Sequence, residues 1–230
     1  MTRVAIHQPQ YLPWVPYCTK AEARDLFVYL DNVQFQRRGV QNRNQIKNAQ
    51  GSMWLTVPVT ARRTTGIAEV RVADKKWQMA HIRSIRENYA RASYLHYFTD
   101  GLKPILEQDW TFLVDLNMKV TEWMFDALGI TCRQIRAGDL DVGGTKDDLI
   151  IDICKAVGGD IYVSGEGARA YQGEEEFLNN GLELRYLSYR TVSYPQCHPN
   201  VGFVPDLSAL DLILNMGPHA REVLLEGFKG

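Results

Sequence analysis

The sequence lacks a strong charge of either sign, a long apolar run and a paired cysteine spacing. Its 230 residues contain 26 Lys and Arg against 27 Asp and Glu, which gives a formal net charge of −1. That balance argues against general binding to nucleic acid or to a membrane surface. No stretch approaches the roughly 20 apolar residues of a membrane span, and no secretory signal pattern is present. We therefore expect a cytoplasmic protein with no membrane span and no nucleic-acid partner.

The cysteines do not form a disulfide or metal-binding pattern. None of the four is in a CxxC arrangement, and their spacings match no known zinc site. We expect reduced thiols and no metal. The four are Cys18, Cys132, Cys154 and Cys197.

Short apolar runs alternate with helical patterns at both ends of the chain. Val4–His7 and Leu26–Leu30 are typical of buried strands, and a helix is expected between them at about 17–24. A strand, helix and strand in thirty residues predict parallel pairing. Later in the chain we expect a helix capped by Thr145, then a strand at 160–163.

The middle of the chain is predominantly helical in its pattern. Residues 77–93 and 111–128 predict helices, and the second has a continuous apolar face. Residues 53–59, 67–72 and 130–135 predict further strands. The sequence therefore predicts an α/β fold with a three-layer, parallel-sheet core in a single domain over residues 1–230, with a helical insert at about 76–128.

Polar clusters follow three of the predicted strands, at the sheet edge where α/β proteins bind ligands. The first begins with His7, which can transfer protons near neutral pH or bind phosphate as a cation. Its neighbours Gln8 and Tyr11 lie in a loop constrained by Pro9 and Pro13. We take His7, Gln8 and Tyr11 as catalytic candidates, although a histidine at a strand end is often structural.

The second cluster is cationic, because residues 32–68 contain no Asp or Glu. A solvated loop is the alternative interpretation, and we accept it for Arg62 and Arg63. Residues 41–45 consist entirely of hydrogen-bonding side chains, which suits recognition of an anionic ligand. We expect this segment to lie in the same pocket as His7. The candidates are Arg37, Gln41, Asn42, Arg43, Asn44 and Lys47.

The remaining candidates come from short polar motifs. Residues 164–167 (Ser-Gly-Glu-Gly) follow a predicted strand and suit an anion-binding turn, or a simple turn. Ser208 could instead cap a helix. A nucleophilic Cys197 would need a partner from a distant part of the chain, since the adjacent His198 points the other way in an extended segment. The substrate-binding candidates here are Asp31, Gln34, Ser164, Gly165, Gln196, Ser208 and Asp211.

The motifs together resemble the WbqC-like proteins in order and spacing over nearly the whole chain. The matching segments are 6–14 (IHQPQYLPW), 30–35 (LDNVQF), 41–44 (QNRN), 55–59 (LTVPV), 164–167 (SGEG), 194–196 (YPQ) and 206–212 (DLSALDL). Residues 16–18 (Pro-Tyr-Cys) depart from the Gly-Tyr-Phe expected of the family. The resemblance implies a bacterial protein associated with O-antigen or other glycan assembly.

The resemblance also implies an activity, which is the transfer of glycine or another acyl unit onto an amino sugar. The cationic second cluster suits a nucleotide, a sugar phosphate or a phosphopantetheine arm, so a nucleotide sugar or an acyl-carrier protein is an expected partner. A non-catalytic module that binds such a molecule is the alternative. The first strand, loop and helix are also similar to pantothenate synthetase and related nucleotidyltransferases, although their His-x-Gly-His signature is absent. An ATP-dependent amide ligase is therefore a further alternative.

Overall fold

A twisted sheet with helices on both faces forms the centre of the molecule. The structure is a computed structural model that describes residues 1–22 and 24–229. The strands are β1 (Arg3–His7), β2 (Leu26–Tyr29), β3 (Arg43–Asn48), β4 (Gly51–Thr56), β5 (Val59–Thr60), β6 (Arg71–Val72), β7 (Arg133–Arg136), β8 (Ile161–Gly165), β9 (Glu183–Tyr189) and β10 (Phe228–Lys229). The helices are α1 (Val15–Glu22), α2 (Lys76–Asn88), α3 (Leu95–Tyr97), α4 (Lys103–Leu106), α5 (Leu113–Ala127), α6 (Asp147–Ala156), α7 (Glu174–Asn179), α8 (Ala209–Met216) and α9 (Ala220–Gly227).

The main sheet has the order β10-β9-β8-β1-β2-β7. Strands β9, β8, β1, β2 and β7 pair in parallel, whereas β10 is antiparallel to β9. The chain therefore starts in the middle of the sheet, builds outward through β2 and β7, and then returns to the other side of β1. This doubly wound order reverses direction between β1 and β8. Such a reversal opens a crevice at the carboxyl ends of the strands, where α/β proteins bind ligands.

The two faces of the sheet are covered by different helices. Successive side chains of a strand point to opposite faces, so Ala5 packs in one cluster and its neighbours Val4 and Ile6 in another. The Ala5 side contains buried residues of α1, α5, α8 and α9, and the Val4 side contains those of α6 and α7. The structure confirms the predicted α/β fold with a three-layer core and the parallel pairing of β1 with β2.

The segment between β2 and β7 contains short strands as well as helices. Helices α2–α5 lie within the predicted insert, and the apolar face of α5 is buried as expected. Before them, however, β3 and β4 form a hairpin, and β5 pairs with β6. The expected strand at 67–72 is a 3-10 turn followed by β6. The expected cap at Thr145 is also wrong, because α6 begins at Asp147 after Lys146, with no side-chain cap.

Residues 41–45 were expected to bind an anionic ligand, with no strand predicted there, but β3 begins at Arg43. In register with β4, Arg43 lies opposite Thr56 and Asn48 lies opposite Gly51. Backbone pairing with β4 and burial of Asn44, Ile46 and Lys47 override the weak strand propensity of these polar residues. The polar run is therefore part of a hairpin.

Candidate active site

A cleft opens where the sheet reverses direction, at the carboxyl ends of β1 and β8. Its larger chamber has a volume of about 590 Å³, and its lining includes His7, Gln8, Lys20, Lys146 and Ser164. A smaller chamber of about 430 Å³ extends toward β9. Both chambers are lined by His7, Lys20, Ala168 and Tyr171. The two chambers are therefore adjacent, and His7, Lys20, Ala168 and Tyr171 form the wall that they share.

His7 is held as a neutral imidazole. It is half-buried at the end of β1, with its ring 4.7 Å from the Tyr17 ring in an edge-on arrangement. Burial, and to a smaller extent the charge of Lys20, lowers the pKa of His7 to about 3. Nδ1 lies 3.1 Å from the Gln8 carbonyl oxygen, which can only accept, so Nδ1 carries the proton. Nε2 is therefore the nitrogen with a lone pair.

Lys20 supplies a positive charge with no carboxylate partner among residues 1–22 and 24–229. It is half-buried on α1, and burial, followed by the charge of Arg24, lowers its pKa to about 8. It is still mostly protonated at pH 7. Gly165 lies against the lysine, since a Cβ atom there would be 3.4 Å from Lys20 Cε, an ordinary van der Waals contact. A desolvated, unpaired cation in a cleft is suited to binding an anion.

Sequence reasoning missed Lys20 because a single lysine on a short helix has no local signature. Lys146, Asp147, Tyr162 and Tyr171 also line the larger chamber and were missed. Lys146 and Asp147 are brought to the cleft by the start of α6, Tyr162 by β8 itself, and Tyr171 by the segment after β8. Only the reversal of strand order, which the sequence did not reveal, would have pointed to them.

Gln8 is positioned by the segment after β2. Gln41 Nε2 donates to Gln8 Oε1 at 2.7 Å, and Gln41 Oε1 accepts from the Gln36 backbone N–H at 2.8 Å. Asn117 Nδ2 donates to the Gln41 carbonyl at 2.8 Å. Gln41 is buried and holds the loop that contains Gln8 against α5.

Three other candidates from these two loops do not line either chamber. Tyr11 is buried, and its hydroxyl lies 2.9 Å from His81 Nδ1. Asn42 Nδ2 donates to the Val57 carbonyl at 2.9 Å, and Asn44 Nδ2 donates to the Leu12 carbonyl at 2.7 Å. The 41–44 segment therefore packs against the loop that follows His7, but its asparagines bind backbone groups and do not face the cleft.

Asp31 lies at the end of β2 and is committed to an ion pair. Arg136 Nε donates to Asp31 Oδ2 at 2.7 Å, and the Gly138 backbone N–H donates to Asp31 Oδ1 at 2.8 Å. The carboxylate is fully buried. These contacts tie β2 to β7 and the turn that follows it.

Four more candidates form a buried polar network at the hairpin and α8. Lys47 Nζ donates to Gln196 Oε1 at 2.9 Å, and Gln196 Nε2 donates to Asp211 Oδ2 at 2.8 Å. Asp211 also accepts from the hydroxyls of Tyr89 at 2.8 Å and Tyr194 at 2.9 Å. Ser208 caps α8, since its hydroxyl accepts from the Leu210 N–H at 3.1 Å. None of the four lines either chamber of the cleft.

Arg37 and Arg43 belong to a cationic surface, which we call the arginine face, and Gln34 lies beside it. It consists of Arg37, Arg38, Arg43, Arg62 and Arg63, none of which has a carboxylate partner within 1–22 and 24–229. The Gln34 side chain donates to the Arg63 carbonyl, and Arg37 donates to the Ala61 carbonyl, so the two loops lie together. Val33, just before this surface, lines the larger chamber.

Cys197 lies in another cavity, of about 790 Å³, together with Arg91 and His198. Burial raises the pKa of the Cys197 thiol, and His198 Nε2 lies 3.0 Å from the Asn88 carbonyl. Neither feature favours a thiolate nucleophile.

Residues 1–22 and 24–229 contain no group of three His, Cys, Asp or Glu side chains arranged to hold a metal ion. No helix in those ranges is both long enough and apolar enough to cross a bilayer.

Comparisons with known proteins agree on one family. The model of the WbqC-like protein family matches residues 8–223, a range that starts directly after His7. The uncharacterized protein Rv1507c of Mycobacterium tuberculosis is 33% identical over 228 residues, which cover 97% of this chain and 98% of that protein. No solved structure matches this chain.

Proposed function

We propose that this chain, which belongs to the WbqC-like protein family, is an enzyme that forms an amide bond. It would transfer an acyl or aminoacyl group, such as glycine, to the amino group of an amino sugar or a similar small metabolite. The main supporting observation is a neutral histidine beside an unpaired lysine at the reversal point of a doubly wound sheet. This arrangement provides a proton acceptor and an anion-binding group in one cleft.

The proposed step is an acyl transfer. The amine nitrogen attacks the carbonyl carbon of an activated donor, the new C–N bond forms, and the bond to the leaving group breaks with its electron pair. The nitrogen loses one proton, which His7 Nε2 accepts. Because the pKa of His7 is about 3 in the free protein, His7 is a weak base until a charged substrate binds. An anionic donor beside the ring would raise its pKa and make it a better base.

Lys20 would hold the anionic part of the donor, and Gln8, Ser164 and Gly165 would complete the wall around it. The donor would carry a nucleotide or a phosphopantetheine arm, supplied free or on an acyl-carrier protein. Arg37 and Arg43, which lie on the arginine face outside the cleft, would attract such a donor without contacting the reacting atoms. For Tyr11, Asp31, Asn42, Asn44, Lys47, Gln196, Ser208 and Asp211 we propose a structural role, based on the hydrogen bonds described above.

The experiment is a product screen. Purified protein is incubated with activated glycyl and other acyl donors and a panel of amino sugars, and amide products are detected by mass spectrometry. For any pair that reacts, His7→Ala should lower kcat at least 100-fold, the usual scale of general base catalysis. His219→Ala is the matched control, because His219 is exposed and pairs with the exposed Glu222. Full activity of His7→Ala would refute the role of His7, and binding of donors without turnover would instead favour a binding module.

A further inference from the structure

We propose that the two chambers of the cleft bind different substrates at the same time, with the larger chamber taking the anionic donor and the smaller chamber taking the ring of the amine acceptor. This inference rests on the proposed function and assigns a substrate class to each part of the site. It follows from the different chemistry of the two linings and from the position of the residues that they share.

The shared wall of the two chambers is a place where both substrates could meet. His7 and Lys20 line both chambers. The larger chamber extends from them toward β2 and α6, and the smaller chamber extends toward β9 and the 165–167 turn. A transfer reaction needs a donor carbonyl and an acceptor amine in contact with each other. Substrates that enter from the two sides would bring these groups together beside His7 Nε2.

The larger chamber is suited to a long, partly apolar donor with a charged end. Its lining includes the apolar side chains Ile6, Leu30, Val33 and Ile150, which suit an alkyl or pantetheine-like arm. Lys146 lies at the same chamber with an exposed side chain, and no carboxylate pairs with it within the described residues.

Two observations single out Lys146 as the second anion contact. Its backbone has φ of +54°, a left-handed conformation that is costly for a lysine and is often retained at functional positions. The neighbouring Asp147 also lines this chamber but forms no ion pair with Lys146, and its Oδ2 accepts from the Gly173 backbone N–H at 3.0 Å. Lys20 and Lys146 are therefore the cations available to a phosphate in this chamber.

The smaller chamber is suited to a sugar ring. Trp14, Tyr17, Tyr171 and Tyr189 are among its lining residues, and aromatic faces pack well against the C–H face of a sugar. Glu166 adds a carboxylate that can accept hydrogen bonds from hydroxyl or ammonium groups. Gly167 leaves open space, because no atom lies within 4 Å of where its Cβ would be. Larger residues at this turn would narrow the chamber.

The test uses phosphopantetheine as the donor probe and D-glucosamine as the acceptor probe, with binding measured by NMR titration. Lys146→Ala should weaken phosphopantetheine binding at least fivefold and leave glucosamine binding unchanged. Trp14→Ala should weaken glucosamine binding and leave phosphopantetheine binding unchanged. If Trp14→Ala does not fold, Glu166→Gln is used in its place. The controls are Lys155→Ala, at the far end of α6, and Trp54→Ala, an exposed tryptophan on β4. Neither control should change either affinity.

Simultaneous binding separates this inference from the proposed function. We expect the dissociation constant of each probe to change less than twofold when the other is saturating. Mutual exclusion of the probes, equal effects of both variants on both probes, or no binding of either probe at millimolar concentration would overturn the assignment. If both probes bind together but no donor and acceptor pair gives an amide, the proposed function is wrong and the assignment of the two chambers is retained. If an amide forms although the probes compete, the chamber assignment is wrong and the proposed function is retained.

Discussion

At the scale of single residues, the site combines a base that is kept neutral with a cation that is kept unpaired. Lys20 is unfavourable for stability at pH 7, because burial penalises its charged form, whereas burial keeps His7 neutral. Ordinary packing gives no reason to leave a half-buried lysine without a carboxylate partner. Functional sites often retain such costs when ligand binding requires them. We therefore place the reaction beside His7 and Lys20.

Replacing Lys20 with methionine should stabilise the protein and impair ligand binding. We expect the free energy of unfolding to rise by about 1 kcal/mol at pH 7, since a buried charge is removed and the apolar stem is kept. Phosphopantetheine binding should fall at least tenfold. Denaturant unfolding and NMR titration check the two effects. A loss of stability together with unchanged binding would show that Lys20 has a structural role.

The difference in stability between the wild-type protein and Lys20→Met should depend on pH, because the pKa of Lys20 is lowered. The pKa is about 8 in the folded protein and 10.5 for an ordinary lysine, so the unfolded state binds more protons between those values. The stability of the wild-type protein relative to Lys20→Met should therefore increase as pH rises from 8 to 10.5. Phosphopantetheine binding to the wild-type protein should weaken over the lower part of that range, as Lys20 loses its charge. A pH-independent difference in stability between the two proteins would contradict the assigned pKa.

At the scale of elements, the β3–β4 hairpin is fixed to α8 by the network around Asp211. Tyr89, Tyr194 and Gln196 all donate to this buried carboxylate, and Gln196 also accepts from Lys47 on β3. The hairpin in turn holds the loop after His7 through Asn44. This network connects the hairpin to the active-site loop without touching the cleft.

Asp211→Ala should destabilise the protein by about 2–4 kcal/mol, because three donors lose a buried acceptor at once. The measurement is the midpoint of urea unfolding, with Asp152→Ala as the control, since Asp152 is exposed on α6. If the role of Asp211 is structural, kcat of the folded fraction should change less than twofold. A loss of kcat in a variant of normal stability would place Asp211 in the chemistry instead.

The predictions from sequence succeeded where burial leaves a periodic pattern and failed where backbone pairing or tertiary packing decided the structure. The strands at 4–7 and 26–30 and the apolar face of α5 were found because burial leaves a periodic pattern. The strand β3 was missed because its residues are polar and its partner β4 supplies the hydrogen bonds. His7, Gln8, Ser164 and Gly165 were found together because they lie at or just after the carboxyl ends of β1 and β8, whereas Lys20 reaches the cleft from α1.

At the scale of the whole molecule, charge is distributed unevenly although the net charge is only −1. The arginine face has no carboxylate partners within the described ranges, and it begins beside Val33 at the edge of the larger chamber. Exposed charges of one sign near a cleft increase the rate at which oppositely charged ligands arrive, and salt screens this effect. The face is therefore suited to attracting an anionic donor or its acidic carrier.

Removing charge from the arginine face should impair donor capture only at low salt. A triple Arg38→Gln, Arg62→Gln and Arg63→Gln variant should lower kcat/KM for the reacting donor roughly threefold to tenfold at low ionic strength, and the deficit should disappear at about 0.5 M salt. A Lys76→Gln, Arg86→Gln and Lys155→Gln variant has the same net charge and serves as the control. An equal deficit in both variants would show an effect of net charge and not of this surface.

The central claim is that the reaction takes place where the two chambers meet, beside His7 and Lys20. The most direct test is a crystal structure of the protein with the amide product from the screen. We predict that the new amide nitrogen lies within hydrogen-bond distance of His7 Nε2 and that the anionic group of the donor half lies against Lys20. A product bound instead in the cavity beside Arg91, Cys197 and His198 would contradict it.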